Sequence, residues 1–252
     1  PPPPLFFFKQ KTAYEIMPSL VGSEMRIRDR CQDMARDVGI PGTGPSSVTP
    51  TPEEEQDIVR YIKDADLDIQ RMWFNWDFLW TEYSTTTVAS TSTITSPSDL
   101  AQWNIDSVVY APTAENWQPL GFVPWLQYRE DYKYGTVATG TPEYFSVKPN
   151  NVMDLYPTPD AATTLTSEYW ATPTELSTDD QVSVIPERFH RIIIARAKIY
   201  YGEQNDATEV LSGAITEFTD LLGKLESDQL PGQRNRRFSL VQDLANYTVV
   251  PE

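Results

Sequence analysis

Cysteine and histidine are nearly absent. The chain of 252 residues carries one of each, Cys31 and His190. This excludes an internal disulfide, and it excludes a multi-cysteine zinc site or an iron–sulfur cluster held by this chain alone. It also leaves little for a histidine-based metal centre. Basic residues are scarce: Lys and Arg number 20 against 36 Asp and Glu, a net charge of −16. Such a surface repels phosphates and disfavours a general nucleic-acid binder. No run approaches the roughly 18 apolar residues that would span a bilayer, and no charged leader precedes an apolar stretch with a small-residue cleavage site. The class expected is therefore a soluble, acidic, cytoplasmic protein with no membrane contact.

The catalytic motifs are missing too. A nucleophile elbow, a dinucleotide fingerprint, zinc-ligand pairs and a calcium loop are not present at their required spacings. The stretch PGTGPSSVTP (Pro41 to Pro50) lacks the Gly-Lys-Ser/Thr ending of a phosphate loop and reads as a linker. Carboxylate neighbours such as Asp179 and Asp180 could serve a glycoside hydrolase, but a chain this acidic produces chance pairs, and a turn explains them. No catalytic residue, metal or cofactor is expected.

What is present is periodicity. Ile27, Cys31, Met34 and Val38 fall on one helical face that Gly39 and Pro41 terminate, which makes Cys31 a buried, inert thiol. Thr51, Pro52 and Glu54 look like a helix start, with Glu53 to Glu55 well placed against the positive helix terminus. Ile58, Ile62, Ala65, Ile69, Met72 and Trp76 continue the stripe of a long helix. It runs into MWFNWDFLWTEY, whose crowded rings predict a shared core between a helix and a sheet.

Ser84 to Ser98 is Thr/Ser-rich with β-branched character, suited to half-solvated strands. Further strands are expected at Ser107 to Tyr110, Tyr144 to Lys148, Val152 to Tyr156 and Thr164 to Trp170, the last three joined as an antiparallel meander by Pro/Asn/Asp turns. Pro124, Trp125, Tyr128, Tyr132 and Gly135 mark one short helix among them. After Pro186 and Glu187, an apolar face of Phe189, Ile192, Ile193, Ala197 and Tyr200 predicts a helix ending near Gly202, with His190 as a packing or surface residue. Leu211, Ile215, Phe218, Leu222 and Leu225 predict a second, antiparallel helix.

The expected fold is α+β: a helical bundle made of a long helix plus a C-terminal helical hairpin, with an inserted antiparallel β-rich subdomain. Residues 1–16 lack the periodicity and caps of the rest. KQKTAYEI resembles a translated sequencing adaptor, and Met17 follows at once, so this segment is read as non-native. N-terminal helices then occupy 17–82, the β-rich insertion 83–185, the hairpin that packs on 51–80 spans 186–226, and 227–252 form an extended tail. That tail reverses the local charge with Arg234, Arg236 and Arg237, followed by Phe238, Leu240, Val241 and Leu244 as apolar anchors, a composition that can order on an acidic partner.

Three stretches carry a family resemblance: EEEQDIVRYIKDADLDIQRMWFNWDFLW (Glu53 to Trp80), PLGFVPWLQYRE with GTPEYFSVKP, and IPERFHRIIIARAKIYYGEQNDATEVL (Ile185 to Leu211). Together they resemble the head-to-tail adaptor, or connector, proteins of tailed bacteriophages, the tail tubular protein A type among them. The resemblance implies a non-enzymatic virion protein of the neck, assembled in the host bacterial cytoplasm. It implies a homo-oligomeric ring, commonly of twelve copies, docked beneath the portal protein, extending the channel for duplex DNA and presenting a surface to a tail or nozzle protein. Helices would carry ring contacts, strands would face the tail, and residues 227–252 would reach the portal through Arg234, Arg236, Arg237 and Phe238. The alternative from composition is a carbohydrate-binding or tail-fibre-like module, suggested by 7 tryptophans and 13 tyrosines.

Overall fold

The structure, a computed structural model, describes residues 26–50, 52–113, 116–134 and 138–230. Residues 1–16 and the anchors Arg234, Arg236, Arg237 and Phe238 lie outside the described residues.

The amphipathic stripes build a helical layer. Helix α1 (Ile27–Asp37) buries Ile27, Cys31, Met34 and Ala35. Helix α2 (Glu53–Met72) buries Ile58, Ile62, Ala65 and Ile69, at spacings that keep one face turned inward. Its N-cap is Pro52, without a side-chain cap, one position later than the capping motif at Thr51 suggests. The helix ends where Trp73 turns to an extended backbone. Trp76 then folds back fully buried, donating its indole N–H to the Ile69 carbonyl at 3.1 Å and stacking on Phe78.

Helix α4 (Arg191–Gln204) packs against α1, α2 and α5 (Thr208–Gln229), with Ile192, Ile193, Ile194 and Ala195 all buried in succession. Gly202 lies inside α4 instead of ending it. A Cβ there would meet the Leu211 Cβ at 2.9 Å, so this glycine lets the two helices approach closely. On α5 the buried residues are Ala214, Phe218 and Leu225, while Ile215 is 48% exposed. Leu211 and Leu222 are partly buried against the same core, so four of the five residues of the stripe read from sequence keep the inner face and Ile215 faces outward.

The strands are β1 (Trp80–Thr86), β2 (Thr93–Ile94), β3 (Leu100–Thr113), β4 (Asn116–Pro119), β5 (Gly121–Phe122), β6 (Thr139–Gly140), β7 (Tyr144–Val147), β8 (Met153–Tyr156), β9 (Thr158–Pro159) and β10 (Thr164–Ala171). The short helix α3 (Trp125–Tyr128) continues into a π-helical turn over Arg129–Lys133, and its Trp125, Tyr128 and Tyr132 rings follow one another in contact. One antiparallel sheet has the order β1-β10-β3-β4. A second has the order β2-β8-β7-β5, with β5 parallel to β7, and β6 pairs in parallel with β9. Between the sheets lies a second core of Trp103, Tyr110, Phe145, Met153, Leu155, Leu165 and Tyr169. No helix among the described residues is long and apolar enough to cross a membrane.

The α+β class stands, but the narrower expectation of a long helix and C-terminal hairpin with an inserted antiparallel subdomain is corrected. Among the described residues five α-helices, α1 among the packed ones, combine with sheets that include parallel pairs. The meander fails at its third strand: β7 and β8 form a hairpin, whereas β10 crosses to sit between β1 and β3. Turn residues report only local hairpins, and parallel or crossing partners leave no such mark. Segment 172–185 also belongs to the helical layer. Leu176 and Ile185 join its core, Gln70 holds Thr174 through both backbone groups, and Asp179 accepts the Val48 N–H at 2.6 Å.

The two faces of α5 are testable. Phe218→Ala should cost about 3 kcal/mol in urea unfolding and Ile215→Ala less than about 1 kcal/mol, because the cavity penalty applies only to the buried ring. Equal losses would contradict the assignment of faces.

Candidate interaction surface

Side chains alternate across a strand, so β1 and β10 each sort their residues onto two faces. Leu165, Ser167 and Tyr169 point into the core, where Tyr169 meets Tyr83 and Trp103. The outer face receives Trp80 and Glu82 from β1, directly opposite Trp170 and Glu168 from β10. Trp80 and Trp170 stack at 6.2 Å, and Phe74 meets Trp170 edge-on at 6.0 Å. Trp73 completes the platform by donating its indole N–H to Glu226 on the last turns of α5 at 2.9 Å. Trp73, Phe74 and Trp80 remain 44%, 56% and 44% exposed.

The aromatic run read as one shared core is thus divided. Trp76 and Leu79 enter it, while Trp73, Phe74 and Trp80 form a surface beside it. The division follows from the local backbone: after α2 ends at Met72, a turn at residues 74–75 and a single 3-10 turn over Asp77–Leu79 carry Trp76 and Leu79 inward and leave Trp73, Phe74 and Trp80 outside. Beside the rings, Glu82 and Glu168 face each other as like charges, an arrangement that is unfavourable in isolation. Asn104 donates to Glu168 at 3.2 Å, which adds no positive charge. Such a face suits a partner with apolar and cationic groups side by side. Sequence reasoning missed it because the members of the Trp80–Trp170 and Glu82–Glu168 pairs lie far apart along the chain, and only the β1–β10 register joins them.

The residues with acid–base potential are otherwise engaged. Asp179 caps the Val48 amide and Asp180 pairs with Arg26 at 2.7 Å, so the two carboxyl groups do not converge on a cleft. Cys31 is fully buried, and desolvation pushes its thiol up to about 12, which makes it inert at neutral pH. Asp154 lies below the usual carboxylate range: burial alone would raise it, but hydrogen bonds from Ser92, Lys133 and Lys148 outweigh that. Among the described residues no cluster of three His, Cys, Asp or Glu could hold a metal ion.

One polar group lies deep in the helical layer. Arg30 of α1, Asp66 of α2 and His190 just before α4 are all essentially inaccessible. His190 Nε2 lies 2.8 Å from the Ile185 carbonyl, which can only accept, so Nε2 carries the proton and Nδ1 accepts from Arg30 Nη2 at 3.1 Å. Gln70 donates to Asp66 at 2.7 Å. Desolvation, helped by the Arg30 charge, lowers His190 to about 4, whereas desolvation raises Asp66.

The signs of these two shifts oppose each other. His190, near 6.5 when unfolded, contributes stability that is complete above that pH and is lost as pH falls toward 4, up to about 3 kcal/mol. Asp66, with its folded value raised, is relieved by protonation and offsets part of that loss. The urea midpoint should therefore fall between pH 7 and pH 5, and His190→Gln should flatten that slope. An unchanged slope in the variant would remove His190 as the cause.

Residues 24–241 match the family described as SU10 adaptor protein. The matched span takes in both hydrophobic cores and the outer sheet face, and it continues past α5 through Arg234, Arg236, Arg237 and Phe238. No curated protein matches the chain. With most of its length inside one family match and its surface groups arranged for contact, this chain belongs to the SU10 adaptor protein family, a family of structural phage adaptors.

Proposed function

We propose that the chain is a structural part of the virion neck, forming a homo-oligomeric ring beneath the portal protein that extends the DNA channel and offers the attachment surface for a tail or nozzle protein. Twelve copies, as in connectors of the tail tubular protein A type, is the ring size we favour. The family match over residues 24–241 is the observation that carries this reading.

Three features support it. A net charge of −16 gives duplex DNA nothing to adhere to, which suits a channel that must let it pass. The outward Ile215 on α5 supplies an apolar position for a neighbouring subunit. Exposed Trp117, Phe122 and Leu126 place further apolar area on the strand side, where a tail component would bind. In this reading residues 227–252, with anchors Arg234, Arg236, Arg237 and Phe238, dock on the portal, although the helix α5 already occupies their first residues up to Gln229. The carbohydrate-binding alternative draws on the exposed Trp73 and Trp80, but Trp76 is lost to the core and the adaptor family leaves no need for it.

Deletion of residues 231–252 should abolish co-sedimentation with the portal protein while leaving the far-ultraviolet circular dichroism of the chain nearly unchanged. Undiminished co-sedimentation of the truncated chain would overturn the docking role.

A further inference from the structure

We propose that in the unassembled chain the outer face of β1 and β10 is the docking site for the chain's own segment Arg234–Leu244, with arginines on Glu82 and Glu168 and Phe238 on Trp80, Trp170 and Phe74. This goes beyond the adaptor reading and holds whether or not the same segment later meets a portal.

The face needs a cationic and apolar occupant, for reasons independent of the tail. Two glutamates stand opposite each other, with no positive charge bonded to Glu168 among the described residues, and beside them Trp73, Phe74 and Trp80 stay 44%, 56% and 44% exposed. Burying exposed rings removes apolar surface from water, which favours an apolar occupant. Bringing guanidinium groups to the paired carboxylates also relieves their mutual repulsion.

The segment that supplies this chemistry begins at the edge of the same face. Glu226 is bonded to Trp73, and Leu230, four residues later, packs on the helical core, so the chain departs beside the platform. Phe238 lies eight residues further, within roughly 26 Å of extended chain. A tether this short holds the segment at an effective concentration in the millimolar range, which favours the chain's own tail over that of a second copy.

The spacing also fits. Glu82 and Trp80 are neighbours on one face of a strand, about 7 Å apart. Residues two apart in an extended segment repeat that distance, which puts Arg234, Arg236 and Phe238 in line. Arg236 then reaches the carboxylates when Phe238 covers the indoles.

A nitroxide on Ser239→Cys tests this in the full-length chain, since the buried Cys31 thiol, at about 12, is not labelled at neutral pH. The indole N–H resonances of Trp73 and Trp80 should be broadened at least threefold more than that of Trp103, which faces the interior. Combining the label with Arg234→Glu and Arg236→Glu should restore them without touching the folded body. Absence of broadening would overturn the proposal. So would broadening seen only between labelled and unlabelled copies in a mixed sample, since that would assign the face to a second chain. Portal binding enters neither measurement, so this proposal and the adaptor reading can fail separately.

Discussion

Helix α4 has no solvent face over Ile192, Ile193, Ile194 and Ala195, and every other helix of the layer is placed by what it does to cover them. α2 supplies the Ile58–Ile69 stripe, α5 supplies Phe218 and Ala214, and α1 closes the remaining side with Ile27, Cys31 and Met34. A run of four buried residues cannot be satisfied by a single neighbour, so the layer must be at least this complex. Around its rim, Arg191 and Lys198 both bond Glu217 of α5 and both reach Asp37 of α1, while Arg196 pairs with Asp68 of α2. These contacts are partly exposed and add little individually, but they fix which helix stands where.

The same layer contains its most expensive feature, the Arg30–His190–Asp66 group. Charged groups in such a place usually contribute less stability than apolar substitutes of the same size, and removing one partner is worse than removing all. What the group provides is direction. Only one seating of α1 against α2 and α4 brings the Arg30 guanidinium to His190 Nδ1 while His190 holds the Ile185 carbonyl. α1 is thereby registered on a surface whose isoleucines alone would accept several registers.

A protein of this kind acts through fixed surfaces, which explains why its chemistry is so sparse. Apart from the Arg30–His190–Asp66 group both cores are apolar, the single thiol is shut away, and the neighbouring Asp179 and Asp180 are bonded to an amide and to Arg26. The outer face of β1 and β10 differs, with stacked rings open to solvent beside two glutamates placed opposite each other.

Helical periodicity was the most legible signal. The α2 stripe from Ile58 to Ile69 and the segments that became β7, β8 and β10 could be read directly, because each depends on local spacing. The rest depended on partners far away in sequence. β3 runs for 14 residues although only Ser107 to Tyr110 stood out, since its outer face is the polar Gln102 and Asn104. Gly202 read as a helix end because its true reason, Leu211 of the next helix, is a packing contact. Trp73 and Trp80 read as core because ring density says nothing about which way each ring turns once the helix has ended. For the central claim, that this chain works as an assembled neck adaptor, the most direct measurement is electron cryo-microscopy of the chain mixed with its portal protein. The account predicts a closed ring coaxial with the portal, with an open central channel and the C-terminal end of α5 toward the portal. Single chains that never form a ring on the portal would contradict it.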